Sequence, residues 1–167
     1  ITQPLPISIA VTTGNINCAG GGRSASVSAS GGTPGYTYTW LPGGNTGNTI
    51  SGLPANTYTV QVTDANSCVQ TATFVINQPA PLTATIVASS NVSCYGGNNG
   101  TATVGVSGGT PFYNYSWTPF GGNGPIAVGL TAGTYTVNIV DSKGCTQSSS
   151  VTITQPTQLT SSISTQT

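Results

Sequence analysis

Polar and apolar residues alternate along nearly every stretch of this chain that lies between clusters of glycine, proline and asparagine. In SASVSAS, residues 24–30, Ala25, Val27 and Ala29 share one side and the serines the other; Ala102, Val104 and Val106 repeat the arrangement. In YTYTW, Tyr36, Tyr38 and Trp40 share a side, as Tyr58, Val60 and Val62 do in TYTVQV. Upstream, Ile7, Ile9 and Val11 correspond to Leu82, Ala84 and Ile86, and TATFVI and SSVTI close the two patterns. A period of two with no competing helical period predicts short strands throughout, hence an all-β chain. The intervening SGGTPG, PGGNTGN and SGLPAN carry the residue types that turns require.

The pattern is written twice. GGTPGYTYTW at residues 31–40 returns as GGTPFYNYSW at 108–117, and Tyr36, Tyr38, Trp40, Tyr58, Asp64 and Cys68 fall on Tyr113, Tyr115, Trp117, Tyr135, Asp141 and Cys145. The eight aromatics among these twelve are the expected core signature. Six or seven strands per repeat predict two tandem immunoglobulin-like β-sandwich modules arranged end to end. The expected boundaries are 1–78 and 79–155, with 156–167 a linker and the first strand of an incomplete third repeat. Leu53 and Pro54 ahead of Tyr58 match a tyrosine corner, in which the phenol bonds back to upstream backbone. The proline-bearing linkers INQPAPL and ITQPTQL predict modules held as a semi-rigid rod. With no initiating Met, no leader-like segment and no long apolar run, the sequence reads as an excerpt of a longer, processed protein, without membrane insertion in this segment.

Composition narrows the chemistry. Charged residues make up 2% of the chain, against about a quarter in ordinary domains. Only Arg23, Asp64, Asp141 and Lys143 are charged, too few cations to hold nucleic acid or an anionic membrane. Without histidine no Ser-His-Asp or Cys-His arrangement can be assembled. One carboxylate per module does not make the pair that glycoside hydrolysis uses. Asp64 in DANSC and Asp141 in DSKGC are expected to cap turns, a calcium site with a single carboxylate being weak. CAGGGR and CYGGNNG lack the lysine of a phosphate loop and read as turns. The expectation is a non-enzyme with no cofactor and no metal, nearly indifferent to pH and salt.

Each module holds two cysteines, Cys18 with Cys68 and Cys94 with Cys145. Repeat symmetry favours pairing inside each module, and closing a loop of about fifty residues would stabilise it by about 4 kcal/mol in the chain-entropy model. The alternative follows from topology: in a seven-stranded module the loop before the second strand and the loop after the sixth lie at opposite poles. Cys18 then lies nearer Cys145, and the bonds staple one module to another. Free thiols are the third reading; either pairing requires an oxidising, extracellular location.

Two surface readings compete with a purely structural one. Aromatic rings stack on sugars, but alternation turns Tyr36, Tyr38 and Trp40 inward, leaving Phe112 and Phe120 as the candidates for exposed contact. The outward rows Thr57, Thr59 and Thr63 suit a wet sheet face better than an ice-binding array. Asn91, Asn99 and Asn114 stand in N-x-S/T sequons.

The ordered combination CYGGNNGTATVGVSGGTPFYNYSW, GLTAGTYTVNIVDSKGC and SVTITQP resembles the SprB-type repeat of large surface adhesins of gliding Bacteroidota, with PKD-like and fibronectin-like modules as neighbouring patterns. The first copy departs from it where Ser67 and Asn56 replace glycines, and Arg23 and Asn99 stand where an acidic residue is usual. The resemblance implies a repeat segment of a large extracellular cell-surface filament used for adhesion or gliding. Its expected partners are neighbouring repeats of the same chain, other copies of the filament and an unidentified surface or glycan. The alternatives are a carbohydrate-binding module and a passive spacer in a secreted enzyme.

Overall fold

A computed structural model describes residues 4–162 as thirteen strands, with no helix among them. The chain divides into two compact modules after Ala80. The first contains β1 (Ser8–Thr13), β2 (Arg23–Ser30), β3 (Thr37–Leu41), β4 (Asn45–Thr46), β5 (Thr49–Leu53), β6 (Asn56–Thr63) and β7 (Val69–Ile76). The second contains β8 (Thr83–Ser90), β9 (Gly100–Ser107), β10 (Asn114–Thr118), β11 (Ile126–Leu130), β12 (Gly133–Val140) and β13 (Thr146–Ile153). Residues 156–162 form no strand, and the rest of the expected third-repeat strand lies outside the described residues.

In the first module β1-β2-β5 face β4-β3-β6-β7; in the second, β11-β9-β8 face β10-β12-β13. Every pairing is antiparallel. Period-two alternation puts one side of each sheet into the core between them, the immunoglobulin-like sandwich solution. Cross-strand register brings Ile9 against Ala29, Val11 against Val27 and Trp40 against Val60. Trp40, Val60, Val62, Tyr58 and Ile76 are buried in one core, Trp117, Tyr135, Val137, Ile139 and Ile153 in the other. Tyr36, Tyr38, Tyr113 and Tyr115 are half-buried and pack against these cores.

The outward faces are polar, and their hydroxyls pair across strands: Thr59 with Thr73 at 3.0 Å, Thr134 with Thr152 at 3.2 Å and Thr136 with Ser150 at 2.8 Å. Such pairs hold register on a wet face. Alternation breaks where the register shifts, between Arg23 and Ala25, between Val128 and Leu130, and most clearly in β8. The β8–β9 register shifts between Ile86 and Ala88, and the extra residue, Val87, is exposed. A β-bulge of this kind moves every later residue to the opposite phase, as the sequence pattern alone does not announce.

Each sandwich has two poles. The N-pole holds the start of the first strand, the loop between the second and third strands and the loop between the last two. The C-pole holds the loop after the first strand and the end of the last strand.

Candidate functional site

The N-pole is tied by one carboxylate. In the first module the Asp64 Oδ1 accepts the backbone N–H of Asn66 at 2.9 Å and of Cys68 at 2.8 Å, and Oδ2 accepts that of Thr33 at 2.9 Å. In the second, Asp141 Oδ1 accepts from Lys143 at 2.9 Å and Cys145 at 2.8 Å, and Oδ2 from Thr110 at 2.8 Å. Each side chain therefore caps its own turn and also reaches the facing loop. The N–H of Thr33, then those of Cys68 and Asn66, outweigh burial and hold Asp64 below the usual carboxylate range. Burial pushes Asp141 up, but the N–H groups of Thr110, Cys145, Lys143 and Gly144 together pull it below that range. Both oxygens of each carboxylate are committed to the backbone, an arrangement of a structural tie. No group of three or more His, Cys, Asp or Glu gathers among the described residues.

The same pole is built without room to spare. Gly32 and Gly109 adopt φ of 56° and 62°, and a Cβ on them would lie 2.6 Å and 2.8 Å from the Asp64 and Asp141 Oδ2 atoms. Tyr113 donates its hydroxyl to the Gly108 carbonyl at 2.7 Å, and Tyr36 donates to that of Gly31 in the same way. These tyrosines are thus spent on loop geometry and core packing.

Trp40 and Trp117 are buried and donate Nε1–H to the carbonyls of Gly47 at 2.8 Å and Gly124 at 3.0 Å. Tyr58 donates to the Pro54 carbonyl at 3.1 Å and Tyr135 to that of Thr131 at 3.2 Å, so both copies form the tyrosine corner. Tyr58→Phe and Tyr135→Phe keep the buried ring and lose one hydrogen bond to the chain. Each is expected to destabilise its module by about 1 kcal/mol, read as a lower urea midpoint at unchanged slope.

The C-pole is tied by a glutamine that the sequence pattern left unassigned. Gln78 Oε1 accepts the Gly20 N–H at 3.0 Å, and Gln155 Oε1 accepts that of Gly96 at 2.8 Å. Backbone bonds from Ile16 to Asn77 and from Val92 to Thr154, both 2.9 Å, run beside them. The recurring Gln-Pro thus ends the last strand and anchors the cysteine-bearing loop; the signal was the repetition of NQP and TQP themselves.

The cysteines depart from the expected pairing. Cys18 and Cys145 are disulfide-bonded, whereas Cys68 and Cys94 are free and exposed. Neither a Cys18–Cys68 nor a Cys94–Cys145 bond is therefore present. The reason lies within each module. Cys18 and Cys94 are on C-pole loops, and Cys68 and Cys145 directly precede β7 and β13 at the N-pole. Each of those strands has eight residues, about 25 Å at ~3.3 Å per residue. A disulfide needs Cα atoms within about 7 Å.

Among exposed aromatics Phe112 stands out at 87% exposure with φ of 73°, a backbone region that glycine favours. Its counterpart in the first module is Gly35, with φ of 115°. Phe120 is exposed on one side but meets Tyr135 edge-on at 5.2 Å, so part of its ring serves the core. The sequon residues Asn91 and Asn99 accept backbone N–H groups of Thr154 and Ser93. A shallow concavity of about 410 Å³ lies over Thr12, Arg23, Ser26 and Thr49. The Arg23 guanidinium is engaged there by the Asn15 carbonyl at 2.6 Å and Asn17 Oδ1 at 3.3 Å.

Both modules match the SprB repeat. The family model aligns with residues 10–45 and 86–122. Each SprB match runs from inside the first strand past the tryptophan; it includes Cys18 or Cys94 and stops before the aspartate tie. No functionally curated protein matches the sequence. Among solved structures, the C-terminal 282-residue fragment of intimin, crystallised with the intimin-binding domain of its translocated receptor, is 14% identical with a TM-score of 0.50. The alignment covers 92% of this chain and 64% of that fragment, so the chain spans just under two thirds of its length. The DIP-gamma Ig1+Ig2 pair is 15% identical over 90% of this chain and 98% of that one, with a TM-score of 0.43. The eight N-terminal Ig domains of DSCAM are 14% identical over 92% of this chain and 25% of that one, with a TM-score of 0.47. The likeness to intimin is one of fold, and the segments similar to the SprB repeat lie one in each immunoglobulin-like sandwich.

Proposed function

We propose that this chain is a structural and adhesive repeat segment of a large extracellular filament on a cell surface, and that it is not an enzyme. The observation that carries the reading is what the two copies keep in common. The Asp tie, the Tyr and Trp bonds to loop carbonyls, the tyrosine corner and the Gln anchor recur in both modules at matched positions. All of them hold the module's own loops to its own sheets. A catalytic or ligand-binding repeat would spend at least one such polar group on an open cavity; here the buried aspartates and the tyrosines are occupied by backbone. Repetition of a self-contained, nearly uncharged module multiplies length. The SprB matches support its use in adhesion or gliding, and a disulfide in an extracellular protein fits an oxidising compartment. Contact with a surface or glycan falls most naturally to Phe112, the most exposed aromatic among the described residues.

Immunogold electron microscopy on intact source cells, with an antibody raised against the folded module, tests this. The expected result is label in rows along surface filaments. Label confined to the cell interior, or only on short soluble species in the medium, would overturn it.

A further inference from the structure

The sequence contains two Asn-Gly pairs, Asn99–Gly100 and Asn123–Gly124, both in the second module. In such a pair the glycine nitrogen, once deprotonated, can attack the side-chain amide carbon of the asparagine, because no Cβ on the glycine hinders the approach. Two conditions decide whether a folded chain permits this. The amide and the N–H must not be engaged elsewhere, and the backbone must be able to turn to bring them together.

The two pairs differ in both respects. Asn99 Oδ1 accepts the Ser93 N–H at 3.0 Å, and its Nδ2 donates to Ser93 Oγ at 2.8 Å. Gly100 is buried opposite Leu130 in the β9–β11 ladder, and a Cβ on it would lie 2.8 Å from both Ile153 Cγ2 and the Leu130 carbonyl oxygen. Neither residue turns unless the sheet opens. Asn123–Gly124 lies instead in the loop between β10 and β11. Asn123 is exposed, and a Cβ on Gly124 would meet nothing within 4 Å. Among the described residues no group bonds the Asn123 amide or the Gly124 N–H. The anchors of this loop are carbonyls: Gly122 accepts the Trp117 N–H at 3.2 Å, Gly124 the Trp117 Nε1–H at 3.0 Å and Pro125 the Val104 N–H at 2.9 Å.

We propose that Asn123 is a site of spontaneous modification, a deamidation that ages the second module and spares the matching loop of the first. The Gly124 nitrogen gives its proton to solvent and bonds Asn123 Cγ, and the side-chain nitrogen leaves as ammonia, closing a succinimide ring. Water then adds to either ring carbonyl, giving aspartate or, with the main chain rerouted through Cβ, isoaspartate. Each product adds a negative charge to a chain whose formal net charge is zero. Isoaspartate also lengthens the main chain by a methylene just before Gly124, whose carbonyl holds the buried Trp117 indole. At the corresponding position of the first module stands Thr46, which has no amide to lose, ahead of Gly47, the acceptor of Trp40.

The test holds the folded chain in mildly alkaline buffer beside a sample unfolded in urea. Chymotryptic cleavage after Tyr95 and Phe120 puts Asn99 and Asn123 on separate peptides, and mass spectrometry follows the conversion of amide to acid on each. The unfolded sample gives the intrinsic rate of each pair. Relative to that rate, Asn99 waits on local opening of β9, and Asn123 is expected to be protected at least about tenfold less. In the aged chain the Trp117 indole N–H resonance should shift and exchange with solvent sooner while that of Trp40 stays, and Asn123→Thr, which copies the first module, should abolish the change. Equal protection of the two asparagines, stronger protection of Asn123, or the same change at Trp117 in aged Asn123→Thr would overturn the proposal.

Discussion

Trp40→Ala is expected to unfold the first module while the second stays folded. The indole is fully buried, lies opposite Val60 on the neighbouring strand, and meets Phe74 edge-on with centroids 6.0 Å apart. Its Nε1–H also supplies the Gly47 carbonyl, which fixes the short β4 hairpin. Truncation leaves a cavity the size of a bicyclic ring and costs about 3–5 kcal/mol. A module of this length has a total stability on the order of 4–10 kcal/mol, so little remains. Trp117 provides the reporter, because its fluorescence continues to follow the second module. Urea titration should show the Trp117 transition in place and a far-ultraviolet signal already partly lost without denaturant. Trp40→Phe retains most of the packing and strands only the Gly47 carbonyl, costing about 1–3 kcal/mol. A loss below about 1 kcal/mol for the alanine variant would place the ring outside the core.

Asp141→Asn is expected to lower the melting temperature at neutral pH and to remove the acid limb of the stability profile. The folded state holds this carboxylate below its ordinary value of 3.8, burial being outweighed by the N–H groups of Thr110, Cys145, Lys143 and Gly144. A depressed folded pKa contributes stability that is fully present above the unfolded value and is lost as pH falls through the folded one. The wild-type chain should therefore be flat from about pH 5 upward and decline below about pH 4, since no histidine is present to titrate between. The Asn variant turns an N–H toward donors that need an acceptor, starts lower at pH 7 and barely changes in acid, so the two profiles converge there. Asp64→Asn should behave alike. Parallel profiles, offset equally at pH 7 and pH 3, would show that the charge is not what ties the loops.

Much of the fold was legible because strand periodicity and turn chemistry agree along the chain. Ala25 and Val27, Tyr58 and Val60, and Trp40 lie in the core on the side that alternation assigns them. Leu53-Pro54 followed four residues later by Tyr58 was a sufficient signal for the corner. Three things were not legible, each for a physical reason. Periodicity says which face a residue takes but not which pole its loop occupies. Equal cysteine spacing therefore pointed to pairing inside each module, and an eight-residue strand forbids it. A bulge is a single inserted residue, and Val87 is an apolar residue like its neighbours, so nothing in its type marks it as outward. The reach of Asp64 to Thr33 and of Gln78 to Gly20 spans 31 and 58 residues, and local turn rules register only the near half of the first.

The central claim is that each module is a unit built to bear load along a repeated chain. Single-molecule stretching of a head-to-tail fusion of two copies under reducing conditions, where no disulfide masks a module, tests it most directly. The account predicts a sawtooth of equal steps, each releasing on the order of 250 Å as about 77 residues extend at ~3.5 Å apiece, with force peaks at every module. A smooth extension with no peaks would contradict it, because a sandwich that yields without resistance is not a load-bearing repeat.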